Sequence, residues 1–66
     1  MRITLNGKAT AFENDLLLRQ LVQNFCRQPE HVIAEVNGEI VKTDHWDQTV
    51  LKEGDVIELV GFVGGG

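Results

Sequence analysis

The stretch VIELVGFV, at residues 56–63, decides the fold of this chain. Its first half alternates apolar and polar residues, which is the period of a strand with one buried face. No segment beside it in the sequence offers it a partner strand. We therefore expect this run to insert next to the first strand of the chain, with a helix covering one face of the resulting sheet.

The N-terminal segment predicts a β-hairpin. Apolar and polar residues alternate over residues 1–5, as in a strand with one buried face. Asn6-Gly7 follows, and this dipeptide readily supplies the positive φ angles of a type I′ turn. Residues 8–12 are therefore expected to return as an antiparallel second strand.

An amphipathic helix is predicted next, because apolar residues recur there at three- and four-residue spacing. They are Leu17, Leu18, Leu21, Val22 and Phe25. Residues 13–15, Glu-Asn-Asp, offer an N-cap and negative charge at the start of the helix. Pro29 disfavours helical geometry at Gln28, so a helix of about three turns should end near Arg27.

The second half of the chain predicts another hairpin before the last strand. Residues 31–37 alternate in polarity, Asn37-Gly38 is a second turn signal, and residues 39–41 form a short returning strand. A polar connector follows over residues 42–48. Within it we expect Trp46 to be a partly buried cap on the core, with its indole N–H on a polar partner.

This order of elements, strand, strand, helix, strand, strand, strand, predicts an α+β fold of the β-grasp (ubiquitin-like) type. We expect a mixed sheet of four to five strands packed on one helix. The β-grasp domain is predicted to span residues 1–63. Residues 64–66, all glycine, are predicted to form a flexible C-terminal tail.

Composition excludes several classes of partner. The chain has 66 residues and a net charge of −4, without a run of Lys or Arg, which argues against nucleic acid and anionic membranes. Its one cysteine cannot form an internal disulfide, so a reducing cytoplasm is the expected compartment. The alternating start resembles neither the apolar core of a signal peptide nor a membrane span, so we expect the chain to be mature as written.

The residue types of an enzyme active site are not assembled in this sequence. We find no Ser/His/Asp set, phosphate loop or pair of catalytic carboxylates. His31 and His45 lack a further Cys or His at ligand spacing, so no metal site is expected. Cys26 is interpreted as a buried or half-buried core residue rather than a sulfur-handling thiol.

The triple glycine is the feature that points to a function. A tail without side chains, fused directly to an apolar strand, reaches roughly 10 Å and fits a channel too narrow for other residues. An α-carboxyl group has a reference pKa of about 3.3 to 3.7, so the one at the end of this tail is expected to be ionised at neutral pH. It can attack the α-phosphate of ATP to give an acyl-adenylate that a sulfur nucleophile displaces. The alternative interpretation is a frayed end or an artificial addition.

The whole chain resembles the ThiS family of thiamine-biosynthesis sulfur carriers, which are ubiquitin-like β-grasp proteins. Five segments carry the resemblance, and the ending is the most specific of them. They are Asn6-Gly7, VNGEIV at residues 36–41, Trp46 followed by Val50-Leu51, EGDVIE at residues 53–58, and FVGGG at residues 62–66.

The resemblance implies a carrier that is acted on by other enzymes. A ThiF-like adenylating enzyme of the ubiquitin-activating type would activate Gly66 with ATP, while the carrier itself binds no cofactor. Sulfur drawn from a persulfide relay would convert the adenylate to a thiocarboxylate, for delivery to a ThiG-like thiazole synthase. Gly65, Gly64 and Val63 would enter the active site of the partner. One departure is local: residues 13–15 are shorter than the usual helix entry of the family.

Partner docking is predicted on the face of the sheet opposite the helix. If Ile57 and Leu59 face the helix, then Val60 and Phe62 point away from it, and Ile33 joins them in an apolar patch rimmed by charge. The alternative is that Phe62 folds back over the edge of the core.

Two further questions stay open at the level of sequence. Five acidic residues could steer the chain toward basic partners or could simply be solvated. They are Glu35, Glu39, Asp44, Asp47 and Glu58. The chain could also carry sulfur for molybdopterin or another sulfur metabolite, or be a non-covalent β-grasp interaction module with an inert tail.

Overall fold

A computed structural model describes residues 1–13, 15–26 and 28–61 of the chain. Two short 3₁₀ segments, Pro29–His31 and Thr43–Gln48, accompany the helix and strands of this part. In chain order the elements are β1 (Arg2–Leu5), β2 (Lys8–Ala11), β3 (Leu16–Leu17), α1 (Leu18–Phe25), β4 (Val32–Val36), β5 (Glu39–Val41), β6 (Val50–Leu51) and β7 (Val56–Gly61).

The main sheet has five strands in the order β2-β1-β7-β4-β5. Strands β1 and β7 are parallel, with Leu5 opposite Ile57, and the other neighbours are antiparallel. The last strand therefore lies beside the first, as the sequence predicts. It also pairs along its other edge with β4, which makes β7 the central strand of the sheet.

Both hairpin turns adopt the predicted backbone. Asn6 and Asn37 have φ angles of 49° and 53°, and the glycines that follow them have φ angles of 83° and 86°. These left-handed conformations are accessible to Asn and Gly at low cost, whereas β-branched residues avoid them. The two Asn-Gly pairs therefore set the registers of β1 with β2 and of β4 with β5.

The helix begins later and is shorter than predicted. Leu16 and Leu17 form strand β3, which pairs with β6, so the predicted N-cap within residues 13–15 is wrong. The side chain of Gln20 accepts the Leu17 N–H at 2.9 Å and provides the cap instead. The helix ends at Phe25, giving eight residues rather than about three turns.

The core lies between the helix and the inner face of the main sheet, with β6 and the second 3₁₀ segment closing one end. Side chains alternate between the two faces of a strand, so every second residue points inward, and in β1, β4 and β7 these inward residues are apolar. The buried residues are Ile3, Leu5, Leu18, Leu21, Val22, Val32, Ala34, Trp46, Leu51, Ile57 and Leu59. The prediction that Trp46 is only partly buried is wrong, since it is 1% exposed. Within the described ranges, no helix is long and apolar enough to cross a membrane.

Candidate functional site

In the sequence, the predicted reactive tail follows the central strand of the sheet. β7 ends at Gly61, which lies opposite Val32 of β4. The predicted site residues that follow it lie outside the described residues: Phe62, Val63, Gly64, Gly65 and Gly66. The described part of the site therefore ends at Gly61, which is paired with β4 on one side. On the other side of β7, the register with β1 stops at Ile57.

The face of the sheet opposite the helix carries an apolar patch. Ile57 and Leu59 are buried in the core, which meets the condition on which the docking prediction depends, and Val60 points outward directly opposite Ile33. These two exposed side chains are 52% and 42% exposed. Large exposed side chains paired across strands form a continuous apolar surface, which is a feature of docking sites.

Two further apolar residues extend this surface, and the sequence analysis did not single them out. Val56 lies on the same side of β7 as Val60, and Ile40 of β5 lies opposite Glu35 of β4. They are 44% and 67% exposed. Alternation along each strand is the signal that could have found them. We call the four residues Ile33, Ile40, Val56 and Val60 the outer sheet face.

Two acidic residues interrupt the outer sheet face. Glu35 and Glu58 lie directly opposite each other in the register of β4 with β7. In the part of the chain that is described, neither carboxylate has an ion-pair partner. Like charges directly opposite each other are destabilising, so this position favours a cation supplied from outside the chain.

The predicted set of five acidic residues does not form one surface. Glu39 lies opposite Val36 and so belongs to the other side of the sheet from Glu35. Asp44 and Asp47 lie on the second 3₁₀ segment, where Asp47 accepts a hydrogen bond from Arg19. Only Glu35 and Glu58 therefore share a face with the apolar patch.

Two asparagine side chains, which sequence reasoning missed, brace β7. The carboxamide of Asn6 bonds both backbone groups of Leu59, accepting from its N–H at 2.8 Å and donating to its carbonyl oxygen at 3.3 Å. At the start of the strand, Asn37 accepts from the Val56 N–H at 2.9 Å and donates to the Asp55 carboxylate at 3.0 Å. The asparagines of the two Asn-Gly turns, which predicted the hairpins, thus also form side-chain hydrogen bonds to β7.

Cys26 is half-buried at the end of the helix, where it packs against the core. Burial raises the pKa of its thiol above the ordinary value of 9.0, which keeps it protonated at neutral pH. Such a thiol is a poor nucleophile, because the thiolate is the reactive form. Among the described residues, no group of three His, Cys, Asp or Glu side chains could hold a metal ion.

Comparison with known proteins agrees with this architecture. Residues 3–66 match the model of the ThiS family. The sulfur carrier protein ThiS of Bacillus subtilis is 35% identical over 97% of this chain and 98% of its own length. A crystal structure of the thiamine biosynthesis protein ThiS from Geobacter metallireducens superposes with a TM-score of 0.86, at 35% identity and with full coverage of both chains.

A longer relative carries the same kind of segment. A thiazole synthase of Magnetococcus marinus is 38% identical over all of this chain, which spans only 20% of the length of that protein. A stretch similar to the present chain therefore occurs inside a protein about five times as long.

The mixed five-stranded sheet, with one helix across its inner face and parallel first and last strands, defines a protein of the ubiquitin-like β-grasp class. Within that class, the family match over nearly the whole length and the near-complete coverage of the B. subtilis protein decide the assignment. The chain belongs to the ThiS family.

Proposed function

We propose that this chain carries sulfur for the thiazole of thiamine on the C-terminal carboxylate of Gly66. The observation that carries the proposal is the family match, which runs through the triple glycine to residue 66. The B. subtilis relative that matches along almost its whole length is named a sulfur carrier protein. The central position of β7 supports the same role, because it holds the origin of the tail in the most firmly paired strand of the sheet.

The chemistry requires only the main-chain terminus of the carrier. A carboxylate oxygen of Gly66 attacks the α-phosphorus of ATP, pyrophosphate leaves, and an acyl-adenylate forms. The terminal sulfur of a partner persulfide then attacks the acyl carbon and displaces AMP. A second partner thiol cleaves the sulfur–sulfur bond, forming a disulfide and releasing the thiocarboxylate. The carrier supplies no catalytic side chain, and ATP binds to the adenylating partner.

Thiazole synthase is the proposed acceptor of the sulfur. The M. marinus thiazole synthase contains a segment similar to this whole chain, which supports a working association between the two kinds of protein. The other proposed partners are a ThiF-like adenylating enzyme and the persulfide donor. All of these reactions are proposed to take place in the cytoplasm, where thiols stay reduced.

The outer sheet face is the proposed docking surface for these partners. Ile33 and Val60 provide its exposed apolar centre. Phe62, which lies outside the described residues, is proposed to join them because it follows Val60 by two residues in the sequence. Glu35 and Glu58 have no ion-pair partner within residues 1–13, 15–26 and 28–61, and their carboxylates favour a partner surface that presents Arg or Lys against them. Docking here leaves the tail free to enter the active site of the partner.

Intact-mass measurement tests the proposed function. After incubation with ATP, the adenylating enzyme and a persulfide donor, the chain should gain about 16 Da as one oxygen is replaced by sulfur. A chain with an amidated C-terminus, or one without Gly66, should gain nothing while keeping the thermal midpoint of the unaltered chain. An unchanged mass for the unaltered chain would contradict the proposal and favour a non-covalent module.

A further inference from the structure

Where the backbone of β1 turns away from β7, the side chain of Asn6 takes over the hydrogen bonding to β7. The register of β1 with β7 covers Thr4 opposite Val56 and Leu5 opposite Ile57. The Asn6 N–H then donates to the Ile57 carbonyl at 2.9 Å, after which the chain enters the turn to β2. The next backbone groups of β7 that face β1 are those of Leu59, and the Asn6 carboxamide bonds both of them.

A carboxamide is suited to this position because it carries a donor and an acceptor, like the peptide group that it replaces. Asn is also among the few residues that tolerate the φ angle of 49° required here. Glycine tolerates that angle but offers no side chain. Aspartate tolerates it and can accept from the Leu59 N–H, but its carboxylate would face the Leu59 carbonyl without a proton to donate.

Asn37 provides an internal comparison at the opposite end of the same strand. It also occupies the first position of an Asn-Gly turn with positive φ, and it also bonds a β7 backbone group, the Val56 N–H. Its contacts lie at the start of β7, whereas those of Asn6 lie two residues before Gly61. Each side chain thus makes two hydrogen bonds, but both bonds of Asn6 are part-buried and reach the β7 backbone, whereas those of Asn37 are exposed and only one reaches it. Only the bonds of Asn6 lie toward the C-terminal end of β7.

We infer that Asn6 is a positioning residue for the charging of the tail. Its carboxamide holds Leu59 on the side of β7 that β1 no longer covers, two residues before Gly61, where the strand ends. Misplacement of a reacting group by about 1 Å can cost roughly a hundredfold in rate. This inference rests on the proposed function, and it concerns the presentation of the Gly66 carboxylate rather than docking.

The test compares Asn6→Gly with Asn37→Gly in the full-length chain. Both variants keep the turn conformation and remove a carboxamide, so both should lose stability, and their kinetics are compared at a temperature at which both are fully folded. In ATP–pyrophosphate exchange with the adenylating enzyme, Asn6→Gly should lower kcat roughly tenfold or more while KM for the carrier stays within about twofold. Asn37→Gly should leave both parameters within about twofold of the unaltered chain.

Hydrogen exchange supplies an independent readout. Protection of the Leu59 amide should fall in Asn6→Gly and persist in Asn37→Gly. Asn6→Asp, which keeps the acceptor, should retain part of that protection and have an intermediate kcat. It also serves as the test variant if Asn6→Gly does not fold.

Equal losses of kcat in the two glycine variants would overturn the inference, since they would follow stability alone. An unchanged kcat in Asn6→Gly with reduced Leu59 protection would overturn it as well. Failure of the unaltered chain to support exchange would instead overturn the proposed function, together with the inference that depends on it.

Discussion

At the scale of single residues, Trp46 links the second 3₁₀ segment, in which it lies, to β5 and to the helix. Its indole N–H donates to the Val41 carbonyl at 2.9 Å, at the end of β5. The guanidinium of Arg19, on the helix, lies 5.6 Å from the centre of its ring. A buried aromatic residue with a satisfied polar tip combines a large apolar contribution with a fixed orientation.

Replacing this residue should be costly. Trp46→Phe removes the donor from the Val41 carbonyl and leaves a void beneath the second 3₁₀ segment, so we expect a loss of about 2 to 4 kcal/mol in the free energy of unfolding. Urea unfolding followed by circular dichroism measures it. Ile40→Thr, at an exposed position of β5, is the control and should change stability by less than about 0.5 kcal/mol. A similar small change in Trp46→Phe would contradict this account.

Cys26 also allows a prediction at this scale, because its thiol is held neutral by burial. Burial favours the protonated thiol, so the folded state is stabilised relative to the unfolded state below pH 9.0. That stabilisation is lost as the pH rises through the raised pKa of the thiol. The unfolding free energy of the unaltered chain should therefore fall relative to that of Cys26→Ser above pH 9.0. Parallel urea titrations across this range would measure the difference.

The same variant tests whether the thiol handles sulfur. Cys26→Ser should reach the full mass gain on charging, because the protonated thiol is a poor nucleophile. A carrier that fails to charge after this substitution would show that Cys26 takes part in the transfer.

At the scale of elements, local patterns predicted most of the strands and missed one pair. Alternation and the two Asn-Gly turns were enough for β1, β2, β4 and β5. The pairing of Leu16–Leu17 with Val50–Leu51 was missed, because two-residue strands far apart in sequence leave no periodic signal. Long-range pairing then overrode the helical spacing at Leu17, which moved the start of the helix.

The pairing of β4 with β7 leads to a prediction about docking. Replacing Ile33 and Val60 together by Ala should weaken binding to the adenylating enzyme by about tenfold or more, since exposed apolar residues at the centre of an interface carry most of its binding energy. Calorimetric titration would measure the affinity. Because both side chains are about half exposed, the fold should lose little stability.

Val50 provides the control for this experiment. It is 50% exposed but belongs to the separate β3–β6 pair rather than to the outer sheet face. Val50→Ala should bind with unaltered affinity. Equal weakening by the two changes would argue against a specific surface, and unchanged binding of the Ile33 and Val60 variant would place docking elsewhere.

At the scale of the whole molecule, the β-grasp architecture followed from the order of elements alone. A last strand without a neighbour in sequence has to pair with an earlier one, and the first strand was available. The sequence did not show that β7 is braced by side chains, because an asparagine that makes a turn looks the same whether or not its carboxamide reaches another strand. The role of the triple glycine stays a prediction, since it lies outside the described residues.

The parallel pairing of β1 and β7 has a mechanical consequence. The strand that bears the tail lies between β1 and β4, with hydrogen bonds on both sides that run across the strand direction. A force applied along the tail, by an enzyme that grips it or by an unfolding machine, therefore acts on these bonds together in shear rather than one after another. Forced unfolding is governed by the unfolding rate, which this arrangement should keep low. A partner enzyme could therefore pull the tail into a narrow channel while the domain stays folded.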